Sequence, residues 1–263
     1  VNNLSPVVGR SGRQLLCVTV THPLAPLLDL AQVPEVLDAA RESVDKALRH
    51  PSLRRSGGTV AAEAGLRSAV ASAALEGHEY PLEEVRSGTV TDPVVQGALR
   101  VSRELDAMAP LWTKVPRQVL ARVHVLAARD AVPPDQLGRP ATDPAVTTRL
   151  SGLLDLVGLA PAVPSLLLAA VVHGELLALS PFAGPSGVVA RAAARLTLVA
   201  GGLDPRALLP VDVGHAARTP EYVGARGAFA TGTPDGLRSW LKHCAAAVTL
   251  AAADVVAFGD ALV

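Results

Sequence analysis

Ser180-Pro181-Phe182-Ala183-Gly184-Pro185-Ser186-Gly187-Val188-Val189-Ala190-Arg191 interrupts the most apolar part of the chain. Before it runs Ser165 to Leu179 and within and beyond it Val188 to Ala200, both apolar runs of helical length. The order is therefore helix, glycine-containing loop, helix. A helix starting after such a loop turns unpaired N–H groups and the positive end of its dipole towards the loop, which suits an anion. The N–H groups of Ser186, Gly187, Val188 and Val189 are the candidate donors, while Pro185 removes one donor and stiffens the turn.

The rest of the chain narrows the class. Its 263 residues are 49% hydrophobic and 18% charged, a globular composition able to bury a sizeable core. Formal net charge is zero, so no overall field draws it to nucleic acid or an anionic membrane. Arg10, Arg13, Arg54 and Arg55 flank Gly and Ser rather than aromatics, which reads as solvated loop, and no nucleic-acid partner is expected. Cys17 and Cys244 lie far apart and the seven histidines match no paired-ligand spacing, so neither a disulfide nor a metal site is expected. His173, Glu175 and Asp254 interrupt the two most apolar runs, which read as buried helices rather than membrane spans. Residues Val1 to Arg13 carry no compact apolar signal core, and the expected location is cytoplasmic.

Helix starts are written as a capping side chain before proline at Asp92-Pro93, Asp143-Pro144, Thr219-Pro220 and Thr233-Pro234. Val33, Leu37, Ala40, Val44 and Ala47 fall at helical spacing, as do Val94, Ala98, Val101 and Leu105. Strand signals are confined to Leu15 to Val20, with room for one small β-hairpin in the Pro-rich stretch Ala131 to Thr142. The expectation is an all-α fold of about eight to ten helices. Residues 1–56 form an amino-terminal segment with at least one helix, joined through a loop at Arg54 to Gly58 to a helical domain over 57–263.

The loop resembles that of the Fic family, whose members mostly transfer AMP from ATP to protein hydroxyls and whose loop reads His-Pro-Phe-x-Asp/Glu-Gly-Asn-Gly-Arg-x-x-Arg. Pro181, Phe182, Gly187 and Arg191 match; Ser180 stands for the His, Gly184 for the acid, Pro185 for the first Gly, Ser186 for the Asn and Val188 for the first Arg. Ser72-Ala73-Ala74-Leu75-Glu76-Gly77 fits the family's inhibitory-helix motif. Leu196 to Leu203, Glu221-Tyr222 and Trp240-Leu241 resemble the end of its core. The resemblance spans roughly residues 60 to 258 and implies a Fic-like helical core with added N-terminal helices.

It also implies which chemistry is gone. The family's base is the loop His, and Ser180 holds its proton at neutral pH, so no catalytic residue is assigned. The acid that would hold Mg2+ is Gly184, which disfavours the metal. Ser186 lacks the Gly-x-Ser-x-Gly frame of a hydrolase nucleophile and reads as a loop-capping serine. His173 reads as a core residue, and His215 as a loop residue able to approach from outside. The expected anion-binding residues are Ser186, Gly187, Val188 and Arg191, and the regulatory ones Ser72, Glu76 and Gly77, with a charge-assisted contact between Glu76 and Arg191 serving structure. Gln136 to Pro140 occupies the place of the family's target-docking flap, where Pro133, Pro134 and Pro140 limit strand pairing.

The expected function is a degenerate Fic-fold protein that binds nucleotide or protein as a regulatory pseudoenzyme. ATP stays open as a ligand, an unknown protein is the expected partner, and a homodimer is left open. The alternatives are an active transferase using another base, and a structural partner with no nucleotide site.

Overall fold

The computed structural model describes residues 7–8, 14–15, 22–55, 57–159 and 163–262. The fold is all-α, with twelve α-helices among these residues. The first six are α1 (Val33–Leu48), α2 (Pro51–Arg55), α3 (Gly57–Ala74), α4 (Leu82–Arg86), α5 (Pro93–Trp112) and α6 (Pro116–Ala128). The others are α7 (Pro144–Gly158), α8 (Ser165–Leu179), α9 (Ser186–Ala200), α10 (Val211–Ala216), α11 (Thr219–Ala230) and α12 (Pro234–Ala261). The surplus over the expected eight to ten is the three short helices α2, α4 and α10, too brief for a periodic pattern. Arg54 to Gly58, expected as a loop, is mostly the end of α2 and the start of α3.

The proline-marked starts work as their chemistry requires. Asp92 Oδ1 accepts from the Val94 and Val95 amides at 2.9 and 3.1 Å, and Asp143 Oδ1 from Ala145 and Val146 at 2.8 and 3.1 Å. Thr233 accepts from Gly236 at 3.2 Å. Thr219 differs: it is the first helical residue of α11, and its hydroxyl donates back to the Ala216 carbonyl at 2.8 Å.

Helices α8 and α9 form the centre, a hairpin closed by the 180–185 loop. α8 is apolar all round because it is walled by α7, α9, α11 and α12, while α9 also meets α3, α5 and α6. α1 lies along α12, whose 28 residues are long and apolar enough to cross a membrane; half of its most apolar window is buried inside the fold. The buried indoles keep their N–H groups satisfied, Trp112 donating to Thr197 Oγ1 at 2.9 Å and Trp240 to the Ala170 carbonyl at 2.7 Å.

Segment 131–142 holds a single 3-10 turn, Pro134–Gln136, in place of the anticipated hairpin, since its prolines cannot donate to a ladder. The strand pair among the described residues is β1 (Val7–Val8) antiparallel to β2 (Gln14–Leu15). Of the strand expected over Leu15 to Val20, Leu15 belongs to β2 and the remainder lies outside the described residues, as does Cys17.

Close helix crossings set a testable contrast. A Cβ on Gly97 of α5 would stand 2.0 Å from the Ala127 carbonyl oxygen of α6, whereas one on Gly152 of α7 meets nothing within 4 Å. Gly97→Ala should cost about 2–4 kcal/mol by forcing α5 from α6, and Gly152→Ala should gain about 0.5–1 kcal/mol through a less flexible unfolded chain. Urea unfolding of both variants checks the pair; equal effects would contradict this packing.

Candidate functional site

Ser180 ends α8 in the left-handed region (φ 41°), with its amide donating to Leu176 at 2.9 Å and its hydroxyl to the Leu177 carbonyl at 3.1 Å. The loop then turns through Gly184 (φ 78°) into α9, where the Ser186 amide donates to the Gly184 carbonyl at 2.7 Å. The Gly187 and Val188 amides donate to no acceptor among the described residues. They are the part of the expected anion site whose donors remain uncommitted.

A side chain of the protein's own already lies there. Helix α3 stops in a Schellman arrangement, His78 N–H to Ala73 carbonyl at 3.0 Å and Gly77 N–H to Ala74 carbonyl at 2.9 Å, with Gly77 at φ 90°. That stop makes Glu76 the last residue before the turn and aims its carboxylate at the start of α9. A Cβ on Gly187 would be 1.9 Å from Glu76 Oε1, so only glycine lets the two approach. Glu76 Oε1 accepts from Arg191 Nη2 at 2.9 Å.

Arg191 is 2% exposed and makes four hydrogen bonds inside the protein. Its Nε donates to Ser72 Oγ at 2.8 Å, Nη2 also to the Ser72 carbonyl at 2.7 Å, and Nη1 to the Tyr222 hydroxyl at 3.1 Å, while Asp212 Oδ1 sits 3.5 Å from Nε. Burial works against its charge, but Tyr222, Glu76 and Asp212 more than offset it, and the guanidinium is held above its ordinary value. Glu76 and Arg191 thus make the contact that the resemblance implies, and Ser72 joins them. The Asp212 partnership carries no signal in the sequence, because it joins residues from α9 and α10 with no local pattern.

The two histidines singled out in the sequence, His173 and His215, are both buried. His173 lies in α8, 1% exposed, with Nε2 3.0 Å from the Tyr222 hydroxyl, which fits the core reading. His215 is not on a loop: it is in α10, 3% exposed, its Nδ1 3.0 Å from His243 Nε2. His243 Nδ1 is in turn 3.3 Å from Glu221 Oε1, whose other oxygen pairs with Arg218. Burial drives His173 and His215 well below the usual imidazole value and lowers His243 against the opposing pull of Glu221.

His124 escaped the sequence reading, since nothing around it in α6 resembles a motif. It is buried, stacks on Phe182 with ring centroids 4.6 Å apart, donates from Nε2 to the Ala183 carbonyl at 2.8 Å, and accepts the Gly138 amide on Nδ1 at 2.9 Å. Together with the Ala141 amide donating to the Pro181 carbonyl at 2.7 Å, it fastens the loop to segment 132–141.

This hairpin with its capping helix is the Fic fold. The chain is similar to a fragment of Fic-1 from C. elegans, with TM-score 0.68, 18% identity, and 90% of this chain and 76% of that one covered. It is also similar to a Fic family protein from Desulfovibrio desulfuricans G20, with TM-score 0.64, 22% identity, and 89% and 75% covered. No protein-family model and no curated protein sequence matches the chain.

The four depressed imidazoles, His124 included, make a pH prediction. In the unfolded chain they protonate near pH 6.5, but in the fold only at lower pH. Unfolding therefore takes up protons below about pH 6.5, and stability that is complete above that value is lost as pH falls. Asp204 and Asp254, pushed up by burial, act with the opposite sign. The melting temperature should drop between pH 7.5 and 5.5, with proton uptake on unfolding measurable by calorimetry in buffers of differing ionisation enthalpy; a higher value at pH 5.5 would contradict the assignment.

Proposed function

We propose that this Fic-fold protein does not transfer AMP and acts as a regulatory pseudoenzyme through protein binding, with its anion site closed. The observation that carries this reading is the Glu76 carboxylate against Gly187, held by an Arg191 that spends four of its five N–H groups inside the protein. A triphosphate entering the turn has to displace one carboxylate and then finds a guanidinium already committed through four hydrogen bonds.

The chemistry around the turn supports the same reading. Ser180 offers a hydroxyl bonded to the Leu177 carbonyl where a base is needed, and Gly184 has no oxygen side chain for Mg2+. His173 and His215 are buried against partners of their own, and His124, which touches the loop, has both ring nitrogens engaged by the Ala183 carbonyl and the Gly138 amide. Cys244, a buried free thiol, is in keeping with a reducing, cytoplasmic setting.

Calorimetric titration with ATP and Mg2+ tests the closure. The native chain should give no binding heat, while Glu76→Gly should uncover the Gly187 and Val188 amides and bind ATP weakly, in the range of about 0.1–1 mM, as two amides and a partly freed guanidinium allow. Intact mass of either protein after incubation should show no added AMP. Self-modification by the Glu76→Gly variant would defeat the pseudoenzyme reading and favour a transferase with an unrecognised base.

A further inference from the structure

At the end of α9 remote from the loop, α5, α7 and α9 finish and α8 begins around a cavity of about 320 Å3. The fifteen residues of α9 put it roughly 20 Å from the turn at Gly184, at the usual rise per residue. The proposed function makes no use of it.

Trp112, Val157, Leu159, Val163 and Leu168 give it apolar walls. Leu159 is 46% exposed, so one side of the cavity is reachable from solvent. Polar groups are few and gathered among the same residues. The Leu24 amide donates to His22 Nδ1 at 3.1 Å, which leaves Nε2 to carry the ring proton, and that nitrogen has no partner among the described residues. His22 is 7% exposed and lines the cavity, and the hydroxyls of Thr113 and Ser165 beside it make no hydrogen bond among the described residues. The three helix ends add carbonyls that lack intrahelical donors. No Lys, Arg, Asp or Glu lines the space.

We propose that this cavity is a binding site for a small uncharged molecule, an apolar one- or two-ring body carrying one hydroxyl or amide. The size follows from comparison: an apolar cavity of about 150 Å3 holds one benzene, so this one takes two fused rings. The single polar group follows from the walls, which offer both a donor, His22 Nε2, and acceptors at the helix ends; a hydroxyl satisfies both. The absence of charge follows from the lining, because an ion buried without a partner loses its hydration and gains nothing in return.

2-Naphthol is the probe, with naphthalene and 2-naphthoate as comparators, followed by methyl NMR of the whole chain. The expected result is 2-naphthol binding with shifts and intermolecular NOEs at Val157, Leu159, Val163 and Leu168, naphthalene about tenfold weaker for want of the hydrogen bond, and 2-naphthoate weaker still. His22→Ala should bring 2-naphthol down to the level of naphthalene and leave naphthalene unchanged. Leu168→Trp should fill the space and abolish binding; if that variant does not fold, Leu159→Trp at the exposed wall serves the same purpose. Absence of shifts at these methyls with millimolar 2-naphthol, tighter binding of 2-naphthoate, or binding that survives the filling substitution overturns the proposal.

Discussion

The guanidinium of Arg191 is the constraint on which the middle of this molecule depends. A charge at 2% exposure costs several kcal/mol in lost hydration unless its surroundings replace the water. Here they do so from three directions: Ser72 and Glu76 from the end of α3, Tyr222 from α11, and Asp212 from α10, all converging on α9. The partners come from three separate parts of the chain, so satisfying one residue fixes how three helices meet the central one. In an open site the same arginine would face a ligand; in this protein it is part of the framework.

A second constraint comes from poverty in aromatics. With two Trp, two Tyr and three Phe in the whole chain, large flat groups for the core are scarce, and imidazoles fill part of that role. His173, His215 and His243 stack or abut around Tyr222 and Trp240, with ring centroids 5.0–5.9 Å apart for the pairs His173–Trp240, His215–His243 and Trp240–His243. The hydrogen bonds permit one consistent set of protons. Glu221 takes the Nδ1 proton of His243, whose bare Nε2 then accepts the Nδ1 proton of His215, and the Tyr222 hydroxyl, already an acceptor for Arg191, donates to His173. Burial, together with the neighbouring positive groups, opposes a further proton on these rings.

What could be read beforehand was what short sequence patterns encode. Asp92-Pro93 and Asp143-Pro144 mark helix starts because cap and proline act within three residues, and Ser165 to Leu179 is legible as a buried helix because His173 and Glu175 are too few to make a polar face yet break a membrane span. The meeting of Ser72 and Glu76 with Arg191 was legible only through resemblance, being a contact over more than a hundred positions. Asp212 and His124 were not legible at all: one is held by charges on other helices, the other by two backbone groups far along the chain. The Pro-rich stretch misled in a different way, since composition marks a turn region without saying whether the turn closes a hairpin or a single 3-10 loop.

The placing of Glu76 shows why local chemistry alone could not decide the site. Two residues beyond the end of α3, in its capping turn, the Glu76 carboxylate lies at the negative end of that helix dipole, where a cation would be preferred. The position becomes favourable only because the positive end of α9 and the Arg191 guanidinium stand opposite, with Gly187 leaving room for the approach. A tethered carboxylate in that position has an effective concentration far above that of a free anion, in the millimolar range or higher for a short link. Any phosphate must compete with it at every encounter. On the proposed reading, loss of the loop's acid and base removed the reason to open the site, and the contact between α3 and α9 persists because Arg191 would otherwise be a buried charge without its nearest counter-charge.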